Sequence, residues 1–335
     1  MATVTDVARL AEVSPGVVSR LLNGDATLRI RPETRERVLA AARELEYTPN
    51  AAARALRNSK AKALGLAVHD VSNPIYAEIL AGTQEAAARA GYTVMLADVD
   101  ALANDDAAFR RFMASGTIDG LLLQRAGDGG DDLVSRVASQ HVPTVLLNDQ
   151  TTQGVSSIAV DDEAGTALAT AHLVSLGHRR VGLLQVDGPS NRVDRRLHGW
   201  QSALRAAGLE APDELVALGG HTPAQGERGV RALLGGDDRP TAIVAANSLA
   251  AVGALASARA AGIRVPDDLS IVGLHDFEFA RHLSTPLDTV RLPLRAMGAA
   301  AVSMLLDETS SITRHVMVTS PAPELVLRGS SASPR

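Results

Sequence analysis

The chain has no cysteine and few aromatic side chains, and both shortages narrow its chemistry. The absence of cysteine among the 335 residues excludes disulfide bonds and thiolate catalysis, and it is compatible with a reducing compartment. Aromatic residues make up only 2% of the sequence, whereas 46% of the residues are hydrophobic. The core must therefore be built mainly from Ala, Leu and Val, and a ligand pocket has few rings on which a ligand can stack.

Long apolar runs are also missing. The first residues, MATVTDVARLAEV, do not combine a basic stretch with a long apolar segment, so they lack the pattern of a signal peptide. No segment reaches the roughly 18 consecutive apolar residues of a membrane span. We therefore expect a soluble, cytoplasmic protein that has no membrane partner.

Sequence motifs of common enzyme sites are absent as well. The nine histidines are scattered, without the paired spacing of metal ligands. Acidic pairs such as Asp161-Asp162 and Asp267-Asp268 are sequential, so their carboxylates need not converge on one substrate. There is no Walker sequence, no G-x-S-x-G and no G-x-G-x-x-G after a strand. We therefore expect neither catalysis nor a metal site nor a cofactor.

Charge is distributed unevenly along the chain. Residues 1–60 contain ten Lys and Arg against seven Asp and Glu, a net charge of +3, and the remainder carries −8. A basic head on an acidic body is weak support for nucleic-acid binding, because neutralised phosphates supply most non-specific affinity.

The first sixty residues have helical patterns and no strand pattern. Thr5 is expected to cap the first helix, and Ser14 the second, in which proline occupies the first helical position. The predicted helices are Asp6–Ala11, Pro15–Leu22 and Pro32–Glu46. The third helix is expected to turn four apolar residues inward: Val38, Leu39, Ala42 and Leu45. Together these helices predict a helix-turn-helix head.

From Ala63 onward, short apolar runs alternate with amphipathic helical stretches. The predicted strands are Leu64–Val68, Thr93–Ala97, Gly120–Leu123, Thr144–Leu147, Ile158–Val160, Val181–Gln185, Ala242–Ala245 and Ser270–Leu274. The predicted helices between them include Tyr76–Ala90, Glu163–Leu176, Arg196–Ala207 and Leu249–Ala261. This alternation predicts an α/β fold with two doubly wound parallel-sheet lobes, and ligands bind such sheets at the carboxyl ends of the strands.

These patterns divide the chain into four parts. We expect a DNA-binding head over 1–48, a hinge and linker over 49–62, a two-lobed domain over 63–328, and a disordered tail over 329–335. The first lobe is expected over about 63–160 and 290–318, and the second over about 161–289 and 319–328. Pro49 breaks the preceding helix, and the segment after Asn50 is too short to be a stable helix by itself.

Several segments, in this order, resemble the LacI/GalR family of bacterial regulators. In the head they are Thr5–Gly24 (TDVARLAEVSPGVVSRLLNG), Arg31–Val38 (RPETRERV) and Tyr47–Leu56 (YTPNAAARAL). In the body they include Asp70–Glu78 (DVSNPIYAE), Leu176–Val181 (LGHRRV), Arg196–Trp200 (RLHGW), Arg264–Gly273 (RVPDDLSIVG) and Leu283–Arg291 (LSTPLDTVR).

The resemblance implies an effector-gated repressor that binds a pseudo-palindromic operator as a dimer. It also implies two lobes of periplasmic-binding-protein type with an effector cleft between them. In the family, the segment like Asn50–Arg57 is a hinge helix that folds on DNA, and the leucine matching Leu56 wedges into the minor groove. The alternative is that Leu56 is an ordinary linker residue. No leucine heptad occurs near the C-terminus, which favours a dimer over a tetramer.

A recognition helix reads bases with the side chains at its N-terminal end. Pro15, Gly16 and Val17 offer no side-chain hydrogen bond there, so direct readout must depend on Arg20, which can hold guanine in bidentate fashion. The other predicted DNA-binding residues are Thr5, Ser14, Ser19 and Asn23 for phosphates, with Asn50, Arg54 and Leu56 in the hinge. Arg29 and Arg31 either contact phosphates or form a solvated basic loop.

Seven residues match pocket positions of the family: Tyr76, Asn148, Asp161, Arg196, His221, Asn247 and His275. Relatives that bind sugars or purines have an arginine at the position of Arg196; the alternative is that Arg196 pairs with Asp194 or another nearby acid. This pocket has fewer carboxylates than many relatives and two imidazoles, which favour an anionic ligand unless both histidines are structural. The resemblance thus implies a sugar, a sugar acid or a phosphorylated sugar as effector.

Two other functions fit parts of the sequence. A solute-binding protein would share the two lobes, and a Rossmann-type enzyme would share the alternating strands and helices. The first would need an export signal and no DNA-reading head, and the second would need a nucleotide-binding loop. The sequence does not say whether the effector releases DNA or promotes binding, although the resemblance favours release.

Overall fold

The computed structural model describes residues 2–23, 25, 27–47, 60–114, 116–125, 130–149, 154–186, 188, 190–236, 238–307 and 312–335. Two compact units divide the chain, one over 1–62 and the other over 63–335. The predicted hinge residues Asn50, Arg54 and Leu56 lie outside the described residues.

The described residues of the first unit form three helices, α1 Val4–Leu10, α2 Pro15–Leu22 and α3 Pro32–Glu44. They pack around a small core of aliphatic side chains: Val7, Ala8, Ala11, Val18, Leu21, Val38, Ala41 and Ala42. Leu39 was predicted to belong to this core, but 38% of its surface is exposed. The helical phase is set instead by Val38, Ala41 and Ala42, three and four positions apart, which turns Leu39 outward.

The prediction that Thr5 caps the first helix is wrong. The cap is Thr3, whose hydroxyl accepts from the amide of Asp6 at 3.3 Å, while the Asp6 carboxylate accepts from the amide of Thr3 at 2.9 Å. This reciprocal capping box satisfies two amides at once, so the helix begins before Thr5. Ser14 occupies the cap position of α2, but its side chain makes no capping hydrogen bond.

The second unit is built from alternating strands and helices. Its strands are β1 Ala63–Val68, β2 Thr93–Asp98, β3 Gly120–Gln124, β4 Thr144–Leu147, β5 Ser156–Val160, β6 Val181–Gln185, β7 Val216–Leu218, β8 Ala242–Ala245, β9 Ser270–Leu274, β10 Asp288–Arg291, β11 His315–Val318 and β12 Glu324–Val326. Its α-helices are α4 Ile75–Arg89, α5 Val99–Asn104, α6 Asp106–Met113, α7 Gly130–Ala138, α8 Asp162–Ser175, α9 Asn191–Ala206, α10 Pro223–Leu234, α11 Ser248–Ala260 and α12 Leu294–Leu306.

Within the described residues the strands form two six-stranded sheets, in the orders β11-β5-β4-β3-β1-β2 and β12-β10-β9-β8-β6-β7. The strands of the first sheet pair in parallel, and the second sheet is parallel except for the antiparallel pair of β10 and β12. In both sheets the order of the first five strands reverses next to the first strand, the arrangement that creates a ligand-binding crevice in doubly wound folds. The predicted two-lobed α/β architecture is confirmed.

Helices cover the sheets and pack closely where glycine replaces a side chain. A Cβ added to Gly82 of α4 would meet the carbonyl group of Arg295 in α12, and one added to Gly298 would meet the carbonyl of Ile79. The two helix backbones therefore approach each other more closely than any larger residue would permit.

Four strands were not predicted: β7, β10, β11 and β12. Helix α9 also begins five residues before its predicted start, because Ser190 caps it by accepting from the amide of Val193 at 3.4 Å. Arg196 therefore lies in the second turn of α9, not at its first residue.

The tail over 329–335 was expected to be disordered, and this prediction is wrong. Ser330 is fully buried, where its hydroxyl donates to the carbonyl of Ile271 at 2.5 Å and accepts from the amide of Asp288 at 2.7 Å. The amide of Ala332 donates to the hydroxyl of Ser270 at 3.0 Å. These hydrogen bonds hold the tail against the second sheet.

Two kinds of feature are missing from the part of the chain that the structure describes. No helix there is both long and apolar enough to cross a bilayer. No group of three His, Asp or Glu side chains among the described residues is arranged to hold a metal ion.

Candidate functional site

The N-terminal end of α2 presents a surface that can face DNA. Pro15 and Gly16 are exposed and Val17 is half-buried, whereas Val18 and Leu21 on the other side of the helix are buried in the head core. The helix is therefore anchored through one face and leaves the other free, as base readout from a recognition helix requires.

Arg20 lies one turn further along the exposed face, and the following loop fixes its direction. Its Nε donates to Asp25 at 2.7 Å and its Nη2 to the hydroxyl of Thr27 at 2.9 Å. Hydrogen bonds from Thr27 and Arg20 lower the pKa of Asp25 to about 2, so this carboxylate is ionised at neutral pH. A guanidinium has five N–H donors, so Arg20 retains donors for a guanine edge while these two bonds restrict its orientation.

The predicted phosphate contacts differ in how free their polar atoms are. Thr5 and Ser14 are exposed, and Ser19 is half-buried. The Nδ2 of Asn23 donates to the carbonyl of Ser19 at 2.5 Å, and its Oδ1 is buried without a hydrogen-bond partner. The side-chain amide of Asn23 is therefore hydrogen-bonded to a backbone carbonyl in the last turn of α2.

In the second unit, polar residues gather at the carboxyl ends of the strands around a cavity of about 260 Å³. Among the described residues, the lining is polar except for one glycine: His69, Asp70, Asn73, Tyr76, Asp100, Gln124, Arg125, Gly188, Arg192, His221 and Thr222. Elements of the first sheet supply the residues up to Arg125, and elements of the second sheet supply the rest. The cavity therefore lies between the two lobes, and of the seven predicted pocket residues Tyr76 and His221 line it.

A hydrogen-bond network fixes the wall formed by the first lobe. The Oε1 of Gln124 accepts from the Tyr76 hydroxyl at 2.5 Å and from the amide of His69 at 3.0 Å. The ring of His69 contacts Asp100 through Nδ1 at 3.1 Å and the carbonyl of Arg125 through Nε2 at 2.9 Å. Both ring nitrogens of His69 therefore lie within hydrogen-bond distance of an oxygen atom, and the two contacts fix the orientation of the ring.

Behind the second lobe's wall lies a buried charged cluster centred on Asp162. Its Oδ1 accepts from Arg196 Nε at 2.8 Å and lies 2.7 Å from Arg196 Nη2 in an ion pair, and its Oδ2 accepts from Arg195 at 3.2 Å. Burial acts to raise the pKa of Asp162, but the positive charge of Arg196 and of neighbouring groups holds it below its usual value. Burial lowers the pKa of Arg196 to about 10, so the guanidinium remains charged at neutral pH.

The two predicted histidines occupy different surroundings. His275 is buried, and its Nε2 lies 3.3 Å from Arg196 Nη2, where it can act as an acceptor. Burial and the charge of Arg196 lower the pKa of His275 to about 3, so this imidazole is neutral. Loss of solvent around the ring and the charges of Arg192 and Arg196 also lower the pKa of His221, although this residue remains exposed at the opening of the cavity.

Four of the predicted residues lie where strands end: Asn148, Asp161, Asn247 and His275. Asn148 and His275 adopt left-handed backbone conformations, with φ of 59° and 71°, and Asn148 Oδ1 accepts from the amide of Val160 at 3.2 Å. Asp161 caps α8, and Asn247 caps α11 while donating to the carbonyl of Gly220 at 2.5 Å. The structure does not place Asn148, Asp161, Arg196, Asn247 or His275 in the lining of the cavity.

Sequence reasoning missed several lining residues, of which Arg192 is the most informative. His69 and Gln124 lie at the ends of apolar strands. The same position at a strand end had pointed to Asn148, so it could also have indicated these two residues. Arg192 precedes Arg196 by one helical turn, so recognising that α9 begins at Asn191 would have placed both on one face.

Comparisons with known proteins identify both units. Residues 3–50 match the family model of bacterial regulatory proteins of the lacI family, and residues 170–331 match the periplasmic binding protein-like domain. The "HTH-type transcriptional repressor PurR" of Photobacterium profundum is 31% identical over 332 residues, which are 98% of this chain and 98% of that protein. The chain belongs to the LacI family.

Solved structures match nearly the full length of the chain. A crystal structure of the lac repressor dimer, bound to operator and the anti-inducer ONPF, matches with a TM-score of 0.81 and 27% identity, covering 99% of each chain. A complex of the transcriptional regulator CelR with cellobiose matches with a TM-score of 0.72 and 30% identity, covering 98% of this chain and 100% of that one. As a LacI-family member, this chain is a DNA-binding transcriptional regulator and not an enzyme, which answers the earlier alternatives of a transport protein and a sugar enzyme.

Proposed function

We propose that this regulator is a dimeric repressor that acts in the cytoplasm and binds a pseudo-palindromic operator. Its affinity for the operator changes when a small carbohydrate-like effector binds in the cleft. The observation that carries the proposal is the composition of the cavity, which takes polar lining residues from both lobes. Hydroxyl-rich molecules suit such a lining because each hydroxyl both donates and accepts hydrogen bonds.

A ligand that bridges two lobes can change their relative position. Tyr76 and His69 would hold one side of the effector, and Arg192 and His221 the other. The ligand then stabilises the arrangement in which both walls reach it, and this difference in affinity shifts the population of states. Typical coupling between two such sites is about 1–3 kcal/mol, which corresponds to roughly 5- to 150-fold in affinity.

At the DNA end, Arg20 is proposed to read guanine, and Pro15 or Val17 to contact a thymine methyl group. The hinge residues Asn50, Arg54 and Leu56, which lie outside the described residues, are proposed to complete the contact through the minor groove. Thr5, Ser14, Ser19 and Asn23 are the proposed phosphate contacts, with Asn23 the weakest candidate because its amide group is directed at the backbone of α2.

At the effector end, the buried predicted residues are proposed to act through the ones that line the cavity. Arg196 and His275 would set the electrostatic field behind Arg192 and His221, since the charges of the two arginines lower the pKa of both histidines. Asn148, Asp161 and Asn247 would fix the positions of the strand ends on which the lining residues stand.

The proposal is tested by selecting binding sites from a pool of random duplex DNA with the purified protein. We expect enrichment of a pseudo-palindrome occupied by two protomers, with affinity that falls as salt rises. Arg20→Gln should lose this preference, and Arg205→Gln, a change on the exposed side of α9, should retain it.

The enriched duplex is then titrated with the protein, with and without each member of a panel of sugars and sugar acids. A change in affinity of the size given above supports gating. Failure to enrich any duplex at low salt would overturn the proposed function.

A further inference from the structure

Resting on the proposed function, we propose that the effector is an acidic monosaccharide, whose carboxylate or phosphate group binds at Arg192. Among the residues that the structure describes, the charged groups around the cavity differ in whether they already have partners.

Apart from the histidines, four lining residues carry acidic or basic side chains: Asp70, Asp100, Arg125 and Arg192. Asp70 Oδ1 accepts from the amide of Ser72 at 3.0 Å and from its hydroxyl at 2.6 Å. Asp100 contacts His69, and Arg125 lies 3.6 Å from Asp149. Three of the four charges are therefore balanced or hydrogen-bonded by neighbours.

Arg192 differs from these three. It forms no ion pair with any described residue, and its Nε is buried without a hydrogen-bond partner. A buried donor that has lost water and gained no acceptor costs free energy, so an acceptor supplied by a ligand would be bound favourably.

The residues behind Arg192 cannot supply the missing negative charge. Arg195 and Arg196 lie one turn further along the same helix and share the single carboxylate of Asp162. Three guanidinium groups therefore face one buried carboxylate on this side of α9. His275 is neutral and adds no negative charge.

The remaining lining residues explain why the ligand would be a sugar derivative and not a bare anion. Asn73, Tyr76, Gln124 and Thr222 offer hydroxyl and amide groups on both walls, and no aliphatic side chain lines the cavity among the described residues. The volume of about 260 Å³ lies below the roughly 300–1,000 Å³ of typical drug-sized sites, so one sugar ring fits better than two. The acid group would lie against the second lobe, with the hydroxyls on the first.

The experiment compares each neutral sugar with its acidic partners on the full-length protein. Glucose is paired with glucuronic acid and glucose 6-phosphate, galactose with galacturonic acid, and ribose with ribose 5-phosphate. Binding is measured by isothermal titration and by the thermal shift of the protein. We expect binding to be confined to acidic members, and the two kinds of acid distinguish a carboxylate ligand from a phosphate ligand.

Variants locate the anion. Arg192→Gln should weaken the acid roughly 10- to 100-fold, because a hydrogen bond to a charged group is lost. Arg192→Lys keeps the charge and should retain part of the affinity. Arg205→Gln, on the exposed side of the same helix, should leave it unchanged.

A second measurement does not depend on choosing the right sugar or on a stable variant. Inorganic phosphate is titrated into protein carrying ¹⁵N-labelled arginine, and the Nε resonance of Arg192 is followed at constant ionic strength. We expect this resonance to shift with saturation. An unmoved Arg192 resonance, or a neutral sugar that binds as tightly as its acid, would overturn the inference of an acidic effector while leaving the repressor intact. Absence of duplex binding both with and without the acidic sugar would count against the proposed function instead.

Discussion

Asp162 is the residue at which a single substitution should cost this protein most. Its carboxylate is completely buried, accepts hydrogen bonds from Arg196 Nε at 2.8 Å and from Arg195 at 3.2 Å, and lies 2.7 Å from Arg196 Nη2. Asp162→Asn keeps the shape of the side chain but removes the counter-charge, so the guanidinium of Arg196, only 2% exposed, is left buried and uncompensated. Breaking a buried ion pair in this way typically costs about 3–5 kcal/mol.

That loss converts into a large change in melting temperature. At about 2–4 °C per kcal/mol for domains of roughly this size, Asp162→Asn should melt about 6–20 °C below the wild type. Calorimetry or circular dichroism at neutral pH measures the difference. Asp268→Asn is the control, because Asp268 forms its ion pair with Arg264 on the surface and its loss should change little.

Two additional observations separate this explanation from general damage. Arg196→Met added to Asp162→Asn removes the unpaired charge and should recover part of the lost stability. The pKa of Asp162 is held below its usual value of 3.8, so its contribution is present above that pH and is lost as the pH falls through the lower, folded-state pKa. The gap between wild type and variant should therefore narrow in acid. A variant whose melting curve overlays that of the wild type at neutral pH would refute the reasoning.

Three other perturbations probe different parts of the molecule. Asp25→Ala should free Arg20 to rotate, and the preference for the selected duplex over a scrambled one should fall by about tenfold while the salt dependence stays the same. Anisotropy titrations at several salt concentrations measure both quantities. An unaltered preference would contradict the role of Asp25 in orienting Arg20. Gly298→Ala should lower the free energy of unfolding in urea by about 1–3 kcal/mol, since the added methyl group has no room between α12 and α4. Gly236→Ala is the control, because a methyl group there meets open space. Equal urea midpoints for the two variants would argue against the close helix contact. Burial lowers the pKa of His178, so the contribution of the neutral ring to stability should be fully present above pH 6.5 and should fall as the pH drops below that value. His178→Gln should therefore reduce the dependence of the free energy of unfolding on pH in this range. A pH dependence identical to that of the wild type would exclude His178 as its source.

The fold was largely predictable because parallel strands buried on both faces appear as apolar runs. Val181–Gln185, Ala242–Ala245 and Ser270–Leu274 were predicted with the bounds that the structure gives them. The strand Asp288–Arg291 was missed because half of its residues are charged. Its Asp288 is buried only because the chain at Arg328 and Gly329 donates amides to its carboxylate, an interaction that depends on a segment 40 residues away.

The capping rule gave the wrong start for α1 because two threonines, Thr3 and Thr5, could both cap the helix. Thr3 and Thr5 both precede an apolar helical pattern, and the choice between them depends on Asp6, which closes a capping box with Thr3. The tail failed for a different reason. Its small polar residues suggested disorder, yet the hydroxyl groups of Ser330 and Ser331 match acceptors on the second lobe that no sequence pattern reveals.

The candidate site was only partly predictable. A family resemblance named Tyr76 and His221, which line the cavity, because residues at strand ends and helix starts keep their positions in a fold. It also named Arg196 as the leading ligand residue, but the partner that buries Arg196 is Asp162, 34 positions away in sequence. Which side chains reach a cleft depends on the packing of two sheets, and sequence spacing does not contain that information.

The central claim is that effector binding in the cleft and DNA binding by the head are thermodynamically coupled. Reciprocal linkage between the two affinities tests this coupling most directly. The affinity for an acidic sugar identified in the panel is measured by titration calorimetry on the free protein and again on the protein saturated with its selected duplex. We expect DNA to change the sugar affinity by the same factor by which the sugar changes the DNA affinity, within about 5- to 150-fold. Equal sugar affinities with and without bound DNA would contradict it.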